Sequence, residues 1–197
     1  MGNTRHLDMG CGRSPRNPYG HDELYGVDIQ FPEEFDSQFF VSANLSIDRI
    51  PFDDGFFDSL SAYEFLEHVP RVMITADGKS TTFPFVLLMN EVWRVLKPGG
   101  RFYAVTPAAP HRSAFQDPTH VNYITRDTHS YFVGSRCGAR EYGFTGLFSL
   151  SRLKSVRPKY DYEPIHPSLY QTLRRIVDIL HGRLSHVLWE FKAIKNE

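Results

Sequence analysis

A glycine-rich turn between two acidic residues is the feature of this sequence best suited to chemistry. Asp8 is followed by Gly10, Cys11 and Gly12, and Asp28 stands 20 residues after Asp8. Glycine lets a backbone turn tightly and approach a ligand closely. An acidic side chain at the end of the next strand can accept hydrogen bonds from both hydroxyls of a ribose. The spacing therefore predicts a nucleoside-binding site.

The residues after this turn indicate a nucleoside without phosphates. Pro15 occupies the place where the dinucleotide-binding pattern G-x-G-x-x-G requires its third glycine. Residues 13–20 contain two prolines and are predicted to form a loop or at most one helical turn. The helix dipole that would favour a pyrophosphate is then largely missing. A nicotinamide-dependent oxidoreductase is accordingly disfavoured.

Glu64, Glu67 and His68 form a second group, spaced i, i+3 and i+4. On a helical turn these side chains share a face, and carboxylates with imidazoles are potential metal ligands. We favour a structural or substrate-facing role for them and expect no metal site.

Short apolar runs that alternate with helical or looping segments must position these residues. Strands are predicted at residues 5–8, 24–29, 39–43, 57–63 and 101–106. A helix begins at Pro84 and is stopped by residues 97–100. This order predicts an α/β domain with a mainly parallel sheet.

The second half of the chain has a different pattern. Residues 108–146 are predicted to be an insertion after the carboxyl end of a strand, with Thr125 capping a short helix. Strands are predicted at 148–162 and 187–194, the latter antiparallel. Between them a helix is predicted from Ser168 to Gly182, and its inward residues are expected to be Leu169, Leu173, Ile176 and Leu180.

Length and composition limit the class of protein. The 197 residues, 41% of them hydrophobic, predict one domain over residues 1–197. Lys plus Arg number 22 against 23 Asp plus Glu, so a DNA-binding surface is not expected. The two cysteines are too few for a disulfide scaffold, and no apolar run is long enough to span a membrane. We expect a cytoplasmic protein without membrane contact.

Four segments in register, over residues 5–107, carry a family resemblance. Residues 7–12, 25–29, 57–69 and 91–101 resemble motifs of the class I S-adenosylmethionine-dependent methyltransferases, in particular small type 11-like members with an abbreviated first helix. The resemblance implies a Rossmann-like, seven-stranded sheet of order 3-2-1-4-5-7-6 with an antiparallel last strand. It also implies S-adenosylmethionine as the cofactor.

The resemblance also implies roles for individual residues. The glycine turn would pass under the methionine part, Asp28 would bind the ribose, and Asn44 and Leu45 would meet the adenine. Relatives often carry Asp at the position of Asn44, and Ser14 replaces their frequent third glycine. Arg13 contacts the methionine carboxylate or is a solvated loop charge. The full set of expected cofactor-binding residues is Asp8, Gly10, Cys11, Gly12, Arg13, Asp28, Ile29, Asn44, Leu45 and Tyr63.

Methyl transfer to an O–H or N–H group requires alignment and sometimes a proton acceptor, for which histidine suits neutral pH. His68, His111 and His120 are the catalytic candidates by position. Residues 115–120 resemble a segment of a methyltransferase subgroup, which implies an acceptor-side role, although His120 in an anchored turn is an equal alternative. Four other histidines are interpreted as surface or packing residues: His129, His166, His181 and His186.

The expected reaction is methylation of an O or N atom in a small molecule such as a sugar, lipid or secondary metabolite. Two alternatives remain: a non-catalytic S-adenosylmethionine-binding partner subunit, and a methyltransferase acting on protein or RNA. Methylation of DNA bases is disfavoured because residues 63–66 lack the required Asn/Asp-Pro-Pro-aromatic string. Cover for the acceptor is expected from residues 111–142, the loop 73–82, or a second subunit of a homodimer.

Overall fold

The computed structural model describes residues 2–30, 39–157 and 168–195. Nine strands run in chain order: β1 Arg5–Met9, β2 Glu23–Asp28, β3 Phe40–Ser42, β4 Phe57–Tyr63, β5 Met73–Ile74, β6 Thr81–Thr82, β7 Leu96–Pro107, β8 Phe148–Val156 and β9 His186–Ala193. Two α-helices are α1 Pro84–Val95 and α2 Leu169–Leu180. Short 3₁₀ helices cover Leu66–His68, Arg112–Ala114, Arg126–Tyr131 and Gly138–Tyr142.

Seven of these strands form one sheet in the order β3-β2-β1-β4-β7-β9-β8. Strand β9 runs antiparallel to both of its neighbours, and the other neighbouring strands run parallel. When the separate β5–β6 hairpin is left out of the count, this is the predicted order 3-2-1-4-5-7-6, which is confirmed. The carboxyl ends of β1, β2, β3, β4 and β7 therefore meet at one edge of the sheet.

Helix α1 follows directly from its sequence. Pro84 lies in its first turn, where a missing N–H removes no hydrogen bond. Its apolar residues recur every three or four positions, so they share one face and pack in the main hydrophobic core. The buried residues of this face are Phe85, Leu88, Met89, Val92 and Val95.

The abbreviated first helix is also confirmed. Residues 10–22, all of which are described, form only turns and irregular backbone between β1 and β2. On this face of the sheet Tyr19 packs beside a second, smaller core that contains Tyr63 and Tyr103. The prolines at 15 and 18 explain the missing helix, because each removes a backbone N–H from the hydrogen-bond ladder.

Three boundaries differ from the prediction. Residues 97–100 end α1 as expected but belong to β7, where a register shift between Phe57 and Ser59 absorbs the extra residues. The expected loop 73–82 contains a short hairpin, in which Met73 pairs with Thr82. Strand β8 ends at Val156, and the predicted strand residues 158–162 lie outside the described part of the chain.

The predicted inward face of α2 is wrong. Leu169 is 86% exposed and Leu180 is 78% exposed, and Leu173 and Ile176 are also exposed. Asp178, on the opposite side of the helix, is buried, because its carboxylate pairs with arginine side chains at 157 and 183. The polar face of α2 therefore packs against the protein, and its apolar face points outward.

Among the described residues, no helix combines the length and the apolar character needed to cross a bilayer.

Candidate active site

The glycine turn after β1 has the geometry expected of a close ligand approach. Gly10 has a φ of +63°, and a Cβ on it would lie 2.6 Å from Cγ of Phe65. Gly12 has a φ of +56°, and its N–H donates a hydrogen bond to Asp28 Oδ2 at 2.9 Å. Only glycine adopts such backbone angles without strain. The turn therefore depends on both glycines and is tied directly to Asp28.

A cavity of about 330 Å³ opens beside this turn, at the carboxyl edge of the sheet; we call it the glycine-turn cavity. Its volume lies within the range of small-molecule sites. Its lining consists of Gly10, Val27, Asp28, Ile29, Ala43, Asn44, Leu45, Ser46, Glu64, Phe65 and His68. Five expected cofactor-binding residues therefore surround one space.

Asn44 is held in position by its own loop. Its Oδ1 accepts a hydrogen bond from the N–H of Ser46 at 3.1 Å, and its backbone N–H donates to Asp48 Oδ2 at 2.9 Å. An amide oxygen has two lone pairs, so Asn44 retains one for a ligand. The neighbouring Leu45 is buried and offers an apolar surface to the same cavity.

Asp8 lies beneath the turn rather than in the cavity lining. Its Oδ2 accepts from the N–H of Arg16 at 2.8 Å, and its Oδ1 accepts from the hydroxyl of Ser61 at 2.6 Å. Burial raises the pKa of this carboxyl to about 7, against the hydrogen bonds and the nearby Arg16. Asp8 thus fixes the loop that follows the turn.

Four other expected cofactor residues do not line the cavity. Gly12 borders open space, and the Arg13 side chain is exposed. Cys11 is buried, which raises the pKa of its thiol to about 12 and leaves it unreactive. Tyr63 lies on the face of the sheet that carries the smaller core with Tyr103, because side chains alternate along β4. Arg16 stacks over the Tyr63 ring at 4.6 Å.

A second, smaller cavity of about 220 Å³ adjoins the first, and we call it the polar pocket. It is lined by Glu64, Glu67, His68, Pro107, Ser113, Gln116, Asp117, His120 and His186. Glu64 and His68 line both cavities. A molecule in the polar pocket would therefore face a molecule in the glycine-turn cavity across these two side chains.

Glu64 is positioned by an unusual backbone conformation at the end of β4. Its φ of 52° is in the left-handed region, which costs a non-glycine residue about 1–3 kcal/mol. The N–H of Glu64 donates to Val105 O at 2.9 Å, and Nε2 of His186 lies 2.9 and 3.0 Å from its two carboxylate oxygens. These contacts hold the carboxylate at the boundary of the two cavities.

Glu67 forms the floor of the polar pocket. Its backbone oxygen accepts from the N–H groups of Val121 and Asn122, and its Oε2 accepts from Thr106 Oγ1 at 2.8 Å. Burial raises the pKa of Glu67 to about 8. The backbone contacts attach the segment that carries His120 to the end of β4.

The structure separates the three candidate catalytic histidines. His68 and His120 line the polar pocket, and their ring centroids are 4.9 Å apart. His111 does not line it, because its Nδ1 accepts from the N–H of Ser113 and caps the helix Arg112–Ala114.

His186, which the sequence pattern suggests is a surface or packing residue, belongs to the candidate site. It is buried, lines the polar pocket and contacts Glu64. No local signal marked it, because only the return of β9 beside β7 brings it there. His129 and His181 direct Nδ1 to nearby backbone oxygens, and His166 lies outside the described residues.

A third cavity, of about 470 Å³, lies between the start of α1 and residues 125–142. It shares no lining residue with the other two cavities. The converging glycine turn, carboxylates and imidazoles therefore make the two adjoining cavities the candidate active site.

Comparisons with known proteins agree with this geometry. A family model described as a methyltransferase domain matches residues 7–104, about half of the chain. The structure is similar to an S-adenosylmethionine-dependent methyltransferase from Mesorhizobium loti, with 14% identity and a TM-score of 0.55 over 97% of this chain and 91% of that chain. A search of curated proteins gave no match.

Two further solved structures are similar in fold. One is the Burkholderia thailandensis 1,6-didemethyltoxoflavin-N1-methyltransferase with bound 1,6-didemethyltoxoflavin and S-adenosylhomocysteine, at 15% identity and a TM-score of 0.55 over 98% of this chain and 72% of that chain. The other is the [4+2]-cyclase SpnF, at 15% identity and a TM-score of 0.58 over 99% and 76%. The matched segment runs from β1 into β7 and contains the glycine turn and Asp28. The chain therefore belongs to the class I S-adenosylmethionine-dependent methyltransferases, enzymes whose cofactor is S-adenosylmethionine.

Proposed function

We propose that this methyltransferase transfers the methyl group of S-adenosylmethionine to an oxygen or nitrogen atom of a small polar molecule in the polar pocket. The observation that carries the proposal is that Glu64 and His68 line both the polar pocket and the glycine-turn cavity. Methyl transfer is an in-line displacement, so the acceptor atom must lie opposite the sulfur across the methyl carbon. Two adjoining cavities that share lining residues can hold the cofactor and the acceptor side by side, which supports the proposal.

The cofactor is proposed to occupy the glycine-turn cavity. Its ribose hydroxyls would donate to Asp28, whose Oδ2 accepts one backbone hydrogen bond and retains a lone pair. Its adenine would lie between Ile29 and Leu45 with its edge toward Asn44, all of which line the cavity. The methionine part would follow the glycine turn toward the exposed Arg13.

The reaction is a single displacement. A lone pair of the acceptor attacks the methyl carbon while the carbon–sulfur bond breaks, and its electron pair returns to sulfur. When bound, S-adenosylmethionine would supply the electrophilic methyl group and leave as the neutral thioether S-adenosylhomocysteine, and the acceptor would lose a proton. Glu64 is proposed to take that proton, because its carboxylate lies at the boundary and is oriented by His186 at 2.9 Å.

The polar pocket favours an acceptor that carries hydrogen-bond donors. Three carboxylates and three imidazoles line it, and carboxylates can only accept hydrogen bonds when ionised. A hydroxyl- or amine-bearing small molecule satisfies these groups. The Burkholderia methyltransferase, by its name, also methylates a small molecule. Residues 113, 116, 117 and 120 line the pocket, which supports an acceptor-side role for segment 108–146 in a single domain of residues 1–197.

Substitution of His120 tests whether the acceptor and the cofactor bind in separate cavities. We expect His120→Ala to lower methyl transfer by about tenfold or more and to leave S-adenosylmethionine affinity unchanged, since His120 lines only the polar pocket. Transfer is measured as S-adenosylhomocysteine release with a panel of hydroxylated and amino acceptors. The matched control is His181→Ala, at an exposed position directly after α2.

Equal loss of transfer and of cofactor affinity in His120→Ala would contradict the proposal, because it would indicate misfolding or one merged site. Cofactor binding by the parent without transfer to any acceptor would favour a non-catalytic partner subunit. Transfer only to protein or RNA would replace the small-molecule assignment.

A further inference from the structure

Three potential metal ligands converge in the polar pocket. A carboxylate oxygen of Glu67 and one ring nitrogen each of His68 and His120 all lie within 4.8 Å of one another. Glu67 and His68 come from the 3₁₀ turn after β4, and His120 comes from segment 108–146. Two separate parts of the chain therefore place a carboxylate and two imidazoles together.

Hydrogen bonds fix the protons of both histidines. Nδ1 of His120 lies 3.3 Å from the backbone oxygen of Ala114, which can only accept, so Nδ1 carries the proton. Thr119 Oγ1 donates its single proton to Asp117 Oδ1 at 2.6 Å. The same Oγ1 lies 3.0 Å from Nδ1 of His68 and must accept there. In its neutral form, each ring therefore has its free lone pair on Nε2.

Glu67 contributes an unsatisfied carboxylate oxygen to this cluster. Glu67 is only 1% exposed, and its Oε1 has no hydrogen-bond partner among the described residues. Oε1 lies 3.9 Å from Nε2 of His120, longer than the roughly 2.7–2.9 Å of a charge-assisted hydrogen bond. In the same pocket His186 Nε2 and Glu64 Oε2 do form a hydrogen bond, at 3.0 Å. The three potential metal-ligand atoms of Glu67, His68 and His120 therefore lie close together, and no hydrogen bond joins them.

We propose that Glu67, His68 and His120 bind a divalent first-row transition metal ion, with Zn²⁺ as the best match. Two imidazoles with one carboxylate suit Zn²⁺, whereas Mg²⁺ and Ca²⁺ prefer oxygen ligands alone. A tetrahedral ion about 2.0–2.1 Å from its nitrogens holds its ligand atoms roughly 3.3 Å apart. The side chains therefore close inward by about 1 Å when the ion binds.

The groups behind the ligands fit the same assignment. Metal-bound histidines commonly donate their second N–H to a backbone carbonyl or to another fixed oxygen. Ala114 O provides this acceptor for His120, and Thr119, itself bound to Asp117, provides it for His68. Three ligands from the chain leave a coordination position open toward the pocket. This step of the inference rests on the proposed function. The methyl acceptor is then a hydroxyl compound, because a hydroxyl oxygen that binds the ion loses its proton more easily.

Direct metal titration tests the site without any acceptor. The full chain is freed of metal with a chelator and titrated with ZnCl₂ by calorimetry and with CoCl₂ by visible absorption. We expect one ion per chain and the ligand-field bands of low-coordinate Co²⁺. His120→Asn and Glu67→Gln should each weaken Zn²⁺ binding by about tenfold or more. The exposed surface variants His181→Asn and Glu141→Gln are matched controls and should bind as the parent does.

The proposal would be overturned if the parent showed neither a heat of Zn²⁺ binding nor Co²⁺ absorption bands. It would also be overturned if His120→Asn bound Zn²⁺ as tightly as the parent does. If Glu67→Gln does not fold, the His120→Asn variant decides, because residue 120 is less buried than Glu67. S-adenosylmethionine titration of the same samples separates the two claims. Cofactor binding without metal binding refutes only the proposed metal site, and metal binding without cofactor binding refutes only the proposed function.

Discussion

His6 and Asp8 lie beneath the glycine turn and share one serine. The hydroxyl of Ser61 donates to Asp8 Oδ1 at 2.6 Å, so it accepts from Nε2 of His6 at 2.8 Å. Nδ1 of His6, at 2.6 Å from Ser59 Oγ, then accepts from that hydroxyl. All four residues are fully buried. Each polar group is satisfied only while His6 is neutral.

Burial shifts the pKa values of these two residues in opposite directions. It lowers the pKa of His6 from 6.5 to about 3 and raises the pKa of Asp8 from 3.8 to about 7. Between pH 3.8 and 6.5 the unfolded chain protonates at His6 and the folded protein does not, so His6 makes unfolding easier as pH falls. Over the same range the folded protein keeps a proton on Asp8, which opposes that trend.

Replacement of Asp8 should therefore expose the effect of His6. We predict that the free energy of unfolding of Asp8→Asn falls more steeply than that of the parent as pH drops from about 6.5 to about 4.5. Urea unfolding at several pH values measures it. Asp53→Asn, at an exposed carboxylate, is the control and should keep the parent's slope. Identical slopes for Asp8→Asn and the parent would disprove the assignment of opposed protonation.

At the scale of elements, Arg94 joins the last turn of α1 to the turn before β4. Its Nη1 donates to Phe52 O and Asp54 Oδ1, both at 2.8 Å. Its Nη2 donates to Ile50 O at 2.7 Å and to Glu91 Oε2 at 2.6 Å. The planar guanidinium makes these bonds at once, which a single ammonium cannot do. This residue therefore fixes β4 relative to α1.

We predict that Arg94→Lys lowers the free energy of unfolding by about 2–4 kcal/mol, because buried carbonyls lose their donor. Chemical denaturation with circular dichroism measures it. Arg49→Lys is the matched control, since Arg49 contacts the same Glu91 with a side chain that is 73% exposed. Similar losses in both variants would show that the guanidinium geometry is unimportant here.

Helical periodicity predicted α1 well and α2 only in part. For α1, one apolar stripe and the apolar face of the sheet that belongs to the main core leave one way to pack. For α2, the period correctly grouped the apolar residues on one side. It did not determine which side faces the protein, because the arginine at 157 that pairs with Asp178 and the backbone oxygen at 155 that accepts from Arg175 lie outside the helix. The residues that share a helix face are local information, whereas the partner of that face is not.

At the scale of the whole molecule, the two cavities differ in how far sequence could predict them. The glycine-turn cavity is built from motifs with fixed spacing, so Gly10, Asp28 and Asn44 could be placed beside it in advance. The polar pocket requires the carboxyl ends of β4 and β7, segment 108–146 and the start of β9 to meet. His186 joins Glu64, Glu67 and His68 through that topology, which no short motif encodes.

The central claim is that Asp28 binds the ribose of S-adenosylmethionine in the glycine-turn cavity. Calorimetric titration of the parent and Asp28→Ala with S-adenosylmethionine and S-adenosylhomocysteine tests it most directly, with circular dichroism to confirm folding. The Asp28 carboxylate would accept two charge-assisted hydrogen bonds from the ribose hydroxyls, so we predict that a folded Asp28→Ala loses affinity for both ligands by about a hundredfold. Equal affinity in parent and variant, or a parent that binds neither ligand, would contradict the account.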